Sequence, residues 1–221
     1  MKNTRLTRCL FVVCVLCLFA SIGCRRRPAP DAAASCPPAE VQFAVAPFTN
    51  PGADYQLLAG YVPEDAAVVS DGALARLDAL LSEALAGECK VTVRPVSAVT
   101  KCIADTAAQS EMNRLGTFKY WQSVGKCVRA EYLIIPQIIT LRERQGSAMG
   151  VEKPAKVNMS VFLMNVETGG VMKYAHFEEE QHTLMDNILE TKKFLERKGR
   201  WLTALELARE GMNKSIAELG L

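Results

Sequence analysis

The stretch VQFAVAPF (Val41–Phe48) alternates Val41, Phe43 and Val45 and stops at Pro47, the pattern of a first β-strand. An irregular stretch follows over 49–70, broken by Pro51, Gly52, Gly60 and Pro63. The period then changes to that of a helix. In DGALARLDALLSEALAGE, Leu74, Leu77, Leu81, Ala84 and Leu85 fall on one face, with Asp71 placed to cap the start and Gly87 to end it. KVTVRPV predicts a short second strand, and SAVTKCIADTAAQ and TFKYWQSVGKCVRA predict two further helices. EYLIIPQIITL is nearly all apolar, as a strand buried on both faces requires.

Beyond the loop RERQGSAMGVEKP lie two more strand patterns, AKVNMSVFLMNV and VMKYAHFEEEQ. They are joined across Glu167, Thr168, Gly169 and Gly170, which predicts a long hairpin. Two amphipathic helices end the pattern. Leu184, Ile188 and Leu195 share a face in the first; Leu205, Ala208, Met212 and Leu219 share one in the second, with Thr203 as its N-cap. Gly211, inside that second helix, is unfavourable there by about 1 kcal/mol relative to Ala. Strands alternating with helices, then a hairpin, predict an α/β fold: a single domain with a mixed sheet of about five strands flanked by helices. The 221 residues suffice for one sizeable domain, the 49% hydrophobic content supports a core, and no internal repeat is present.

The same hydropathy profile sets the N-terminus apart. Lys2, Arg5 and Arg8 precede CLFVVCVLCLFASIG, an uncharged run over residues 9–23 with the length of a signal-peptide core and short of a comfortable bilayer span. Ser21, Ile22 and Gly23 then lead into Cys24. This resembles the lipobox of bacterial lipoproteins, although Ser21 stands where a Leu is usual. The resemblance implies cleavage before Cys24 and acylation of its thiol. A small residue at 23 lets a peptidase close on the backbone, and at about 0.8 kcal/mol per buried methylene two or more acyl chains anchor firmly. The absence of Asp after Cys24 implies sorting to the periplasmic face of the outer membrane. Two rival readings stay open: an uncleaved anchor stopped by Arg25–Arg27, and ordinary cleavage with Cys24 a bystander. From Arg25 to Pro38 the chain is rich in Pro and Ala, an extended tether reaching about 40 Å at ~3.1 Å per residue. The expected organisation is a signal peptide over 1–23, a lipidated tether over 24–38 and a periplasmic α/β domain over 39–221.

Charge follows that division. Net charge is +2, but six of the 26 basic residues lie before Ala39, leaving 20 Lys and Arg against 23 Asp and Glu from there on. A mildly acidic body predicts no nucleic-acid partner.

The strand VQFAVAPFTN, a helix, AEYLIIPQI, and a hairpin around NVETGG together resemble the periplasmic domain of several envelope lipoproteins, over roughly residues 40–182. These include the curli-secretion lipoprotein, the activator lipoprotein of penicillin-binding proteins and the N-terminal domain of TolB. The C-terminal piece EEEQHTLMDNILETKKFLERKGRWLTALELAREG is more similar to uncharacterised lipoproteins of sulfate- and metal-reducing bacteria. The resemblance implies a non-catalytic module that binds envelope proteins, with self-assembly into a homo-oligomer left open. A subunit of a secretion or surface-appendage pore ranks lower, because such a pore needs two amphipathic hairpins per subunit and the pattern offers one.

Candidate chemistry is sparse. His176 and His182 are the two histidines, and on a strand they share a face with Glu178 and Glu180. These four are the best residues for a periplasmic hydrolase or for zinc, but an extended strand spreads them over about 20 Å, so a solvated strand face is the preferred reading and no metal site is expected. GSAMG (146–150) is not a nucleophile elbow, and VGKC (124–127) is not a phosphate loop, so no catalytic residue and no cofactor is expected. FLERKGRW (194–201) invites a membrane or glycan reading; the competing one is a helix end with Lys198 and Arg200 near its C-terminus and Trp201 on the core.

Of eight cysteines, Cys9, Cys14 and Cys17 lie in the signal segment and Cys24 carries lipid, leaving Cys36, Cys89, Cys102 and Cys127. Cys102 and Cys127 follow Val99 and Val124 by three positions on neighbouring predicted helices, so both are expected to face inward, where they can form a disulfide. Cys89 is the alternative partner, and a pair of inert thiols is the rival reading.

Overall fold

In a computed structural model of the chain, residues 41–64, 66–88, 93–106, 113–148, 150–181 and 195–221 are described. The signal segment, Cys24, the tether, Cys36, Cys89, His182 and most of the first predicted C-terminal helix lie outside them. Among the described residues no helix is long and apolar enough to cross a membrane.

A five-stranded mixed sheet forms the centre. Its strands are β1 (Phe43–Val45), β2 (Val93–Arg94), β3 (Tyr132–Arg142), β6 (Lys156–Asn165) and β7 (Val171–Glu180), in the order β2-β1-β3-β6-β7. β1 runs parallel to β2 and β3, while β6 runs antiparallel to both β3 and β7. The helices are α1 (Asp71–Glu88), α2 (Val96–Thr106), α3 (Arg114–Cys127) and α4 (Ala204–Leu219). The predicted loop after β3 contains a small separate hairpin, β4 (Gln145–Gly146) with β5 (Val151–Lys153), which the hydropathy pattern is too short to reveal.

Both faces of the sheet are covered over most of its area. On one, Phe43, Val45, Ile134, Ile138, Met159, Val161 and Phe177 pack against Leu77 and Leu81 of α1 and Leu207, Met212 and Ile216 of α4. On the other, Ala44, Ala46, Leu133, Ile135, Phe162 and Met164 meet Val99 and Cys102 of α2 and Trp121 and Val124 of α3. β1 is therefore buried on both faces, although its alternation reads as one-sided; Ala44 and Ala46 are simply small enough for helices to close over them. Pro136 is tolerated in the middle of β3 because the main-chain groups of Ile134, Pro136 and Ile138 face β1 and the chain after it, not β6.

The helix ends refine the sequence expectations. Ala73 N–H donates to Ser70 Oγ and Leu74 N–H to Ser70 O, so Ser70, not Asp71, caps α1, and the helix runs through Gly87 to Glu88. Thr203 caps α4 in a capping box with Glu206. The main-chain N–H of Thr203, with smaller help from the Arg200 guanidinium and the Thr203 hydroxyl, holds the Glu206 carboxyl below the usual carboxylate range against its burial. In α4 the inward face is Leu207, Ala208, Met212, Ile216 and Leu219, with Leu205 only half-buried at its margin. Gly211 touches the sheet directly: a Cβ there would lie 2.4 Å from Phe177 Cδ1 and 2.6 Å from Met159 Cε. The expected helix penalty of this glycine is the condition for α4 to lie against β6 and β7.

The irregular stretch after β1 is fixed by side-chain bonds to its neighbours. Gln137 is buried on β3, donating to Gln56 O at 3.0 Å and accepting from Leu58 N–H at 3.2 Å. Asn50 joins Ile138 O to Val69 N–H, and Arg114 donates to Gly60 O at 2.6 Å. Thr117 Oγ1 donates to Tyr55 O. These bonds hold residues 53–63 across the lower half of the second sheet face, beside β6 and β7.

Candidate functional site

The α2–α3 layer covers β1, β3 and only the upper part of β6. Below it, the alternation of β6 changes character. Phe162 and Met164 belong to the apolar core, while Ser160 and Asn158 project from the same face, buried to 5% and 6% exposure. Cross-strand pairing sets Tyr174 opposite Phe162, His176 opposite Ser160, and Glu178 opposite Asn158. The segment 59–63 forms the other wall. Together they enclose a cleft of about 210 Å³ whose floor is Asn158, Ser160, His176 and Glu178, rimmed by Tyr61 and Tyr174.

The polar groups are linked in a row. Ser160 Oγ and His176 Nδ1 share a hydrogen bond at 3.0 Å, and His176 Nε2 lies 3.9 Å from Glu178 Oε2. Lys156 Nζ, at 3.6 Å, approaches the other oxygen of Glu178. Glu180 is drawn to Arg142 on β3 and so is held at the end of the row. Asn158 Oδ1 has no hydrogen-bond partner among the described residues. Tyr174 is stacked on Phe162 with ring centres 5.5 Å apart, which fixes the orientation of the exposed ring.

Of the four residues expected to share a strand face, His176, Glu178 and Glu180 do so, and His182 lies outside the described residues. Ser160 and Asn158 were missed. They sit inside a strand that reads as apolar, and their polar character against Phe162 and Met164 on the same period of two was the available signal. Among the described residues no three His, Cys, Asp or Glu side chains are grouped to hold a metal ion.

A Ser–His–Glu row is an arrangement that hydrolases use, and the backbone around Ser160 limits what it can do. β6 is paired on both sides, so its N–H groups from Asn158 to Phe162 lie in the sheet plane and point to β3 or β7. None turns into the cleft to receive an oxyanion, the group that acyl transfer needs beside its nucleophile.

No family model matches the sequence, and no curated protein matches it. Solved structures do. The PelC dodecamer protein of Paraburkholderia phytofirmans is 14% identical, with 84% of this chain and 93% of that one covered at a TM-score of 0.42. The LpoB C-terminal domain of Salmonella enterica is 16% identical, covering 65% and 84% at 0.37. The lipoprotein GNA1162 of Neisseria meningitidis is 10% identical, covering 72% and 98% at 0.38. All three TM-scores lie below 0.5, so what this chain does has to be argued from its own residues.

Two other expected features are placed by the structure. Cys102 on α2 and Cys127 on α3 are joined by a disulfide, with Cα atoms 5.8 Å apart. Cys102 is buried, but Cys127 is exposed, against the expectation that both face inward. The inward line of α3 is Trp121, Val124 and Val128, and Cys127 lies one step off it, so the bridge closes the rim between the helices. In FLERKGRW the arginines are engaged. Arg197 meets Glu179 at 2.7 Å and Glu210 at 2.6 Å, and Arg200 meets Glu206 at 2.7 Å. Burial works against the Arg197 charge, and its bonds to Glu210 and Glu179 outweigh that, raising its pKa. Trp201 is buried, its main-chain N–H donating to Ala148 O. This segment is a clamp between β7 and α4 rather than a basic surface.

Proposed function

We propose that the protein is a lipid-anchored, non-catalytic binding module of the bacterial cell envelope, held at the membrane by acylated Cys24 and presenting the β6–β7 cleft to its partner. One observation supports the non-catalytic part: among the described residues, the row resembling catalytic machinery has its Ser160 on β6, a strand paired on both sides, with no main-chain donor of that strand turned toward the hydroxyl. Such a site can hold a ligand through side chains, and β6 supplies no main-chain donor beside Ser160 for a developing oxyanion. The lipobox-like run ending at Gly23 and Cys24 supports the anchor, and the periplasmic face of the outer membrane is the location it favours. The pore-subunit reading ranks lower, since β6 is buried on both faces and β7 packs one face on α4.

The test has two parts. Fatty-acid labelling of cells should mark the wild-type protein and not a Cys24→Ala variant. A fluorophosphonate probe should leave Ser160 unmodified. Label retained by the Cys24 variant would remove the anchor, and a probe adduct on Ser160 would remove the non-catalytic reading.

A further inference from the structure

We propose that the cleft between residues 59–63 and the β6–β7 face binds an uncharged saccharide ring. The proposal rests on the binding-module reading and names the ligand class of the same site. Four observations lead to it.

The first is an unmet polar group. Asn158 is 6% exposed, lines the cleft, and leaves its side-chain oxygen without a partner among the described residues. A buried amide of this kind is expected to be paired; its oxygen is closed off from solvent, so a ligand at the cleft floor completes it through a rotation of the Asn158 amide. The second is the aromatic rim. Tyr61 is 71% exposed and Tyr174 55% exposed, and Tyr174 is held flat against Phe162. An exposed ring oriented by its own packing, as that of Tyr174 is, presents an apolar face beside polar groups, which suits the C–H face of a sugar whose hydroxyls reach the floor.

The third is the mixed donor and acceptor character of that floor. Ser160 and His176 each give or take a hydrogen bond, the Asn158 amide does both, and Glu178 accepts. Vicinal hydroxyls, which also donate and accept, match that set better than a group with one polarity. The fourth is charge. Lys156 shares Glu178, and Arg142 takes Glu180, so the acidic residues on this face of β7 are offset by bases on neighbouring strands. A site balanced in this way has no field that selects a cation or an anion. A volume of about 210 Å³ admits one ring and leaves the rest of a longer glycan on the surface.

The experiment is saturation-transfer NMR on the full chain in detergent, with methyl glucoside, the trisaccharide of N-acetylglucosamine, and cadaverine as the cationic comparison. The expected result is transfer to the ring protons of at least one sugar and none to cadaverine. Tyr174→Ala should weaken sugar binding about tenfold, the loss of one ring contact. Tyr174 is exposed, so this variant is expected to fold, as its melting temperature will report; Asn158→Leu gives a second reading where it folds. Absence of transfer to both sugars, preference for cadaverine, or unchanged sugar binding by Tyr174→Ala would overturn the proposal. In-cell cross-linking from position 174 separates the two levels: if it persists while both sugars fail, the ligand class is wrong and the binding module stands.

Discussion

Replacing Gly211 by Ala should destabilise the protein, although the same change is favourable in most helices. Helix propensity alone favours Ala over Gly by about 1 kcal/mol. The new methyl would stand 2.4 Å from the Phe177 ring and 2.6 Å from the end of Met159, both buried. Overpacking of this kind costs roughly 1–3 kcal/mol, because Met159 can bend away but the Phe177 ring is rigid and buried on β7 beneath Gly211. The net expectation is a loss of about 1 kcal/mol. Gly72, near the start of α1, is the control: a Cβ there meets nothing within 4 Å, so Gly72→Ala should gain up to about 1 kcal/mol. The assay is urea unfolding of the chain from Ala39 onward, comparing midpoints at a constant slope. Equal stabilisation by both substitutions would refute the argument, because it would mean that α4 does not rest on the sheet through Gly211.

Other substitutions have equally definite expected outcomes. Replacing Cys102 and Cys127 together by Ser should cost about 3–4 kcal/mol, the loop-closure value for a separation of 25 residues, read by denaturant titration. Gln137→Leu should cost about 2–3 kcal/mol and abolish hydrogen-exchange protection at Leu58, because it leaves Leu58 N–H and Gln56 O without their partner. Arg129 occupies a left-handed position (φ 56) after α3, where Ala130 N–H returns to Gly125 O and Arg129 N–H to Lys126 O, so Arg129→Gly should raise stability by about 0.5–1 kcal/mol. Glu206 has a folded pKa below its usual 4.5, so its contribution is present above that value and is lost as pH falls through the folded one. Asp78, raised by burial against its bond to Phe48 N–H, acts in the opposite sense, costing stability as pH rises from 3.8 through its folded value. Glu206→Gln should therefore flatten the acid limb of the stability curve and Asp78→Asn should steepen it, as melting temperatures across pH will report.

The elements most visible in the sequence are those whose hydrophobicity is unambiguous. The apolar run of β3 reads as a strand buried on both faces, and Leu77 and Leu81 mark the inward side of α1. The β6–β7 hairpin follows from two strand patterns around Thr168 and Gly169. What stayed hidden depends on contacts between distant segments. Gln137 lies 79 positions from Leu58, so nothing local says that residues 53–63 are fastened to β3. Ser70 rather than Asp71 caps α1 because the helix begins where the main chain turns, and either residue type could serve. The cleft was half legible. His176 and Glu178 stand out on an otherwise one-sided strand, but Asn158 and Ser160 become its floor only because the α2–α3 layer stops short of them. The outward position of Cys127 follows from which residues of α3 the sheet selects, a choice that a spacing of three from Val124 does not determine.

The central claim is that a membrane-tethered protein uses the β6–β7 cleft to bind an envelope component. Photo-cross-linking in intact cells tests it most directly, with a benzoylphenylalanine at position 174 beside the cleft and one at position 82 on the exposed side of α1 as reference. The account predicts a discrete adduct from position 174, none from 82, and loss of the adduct when Cys24 is replaced by Ala. Equal adducts from both positions, or an adduct from 174 that is unchanged without Cys24, would contradict it.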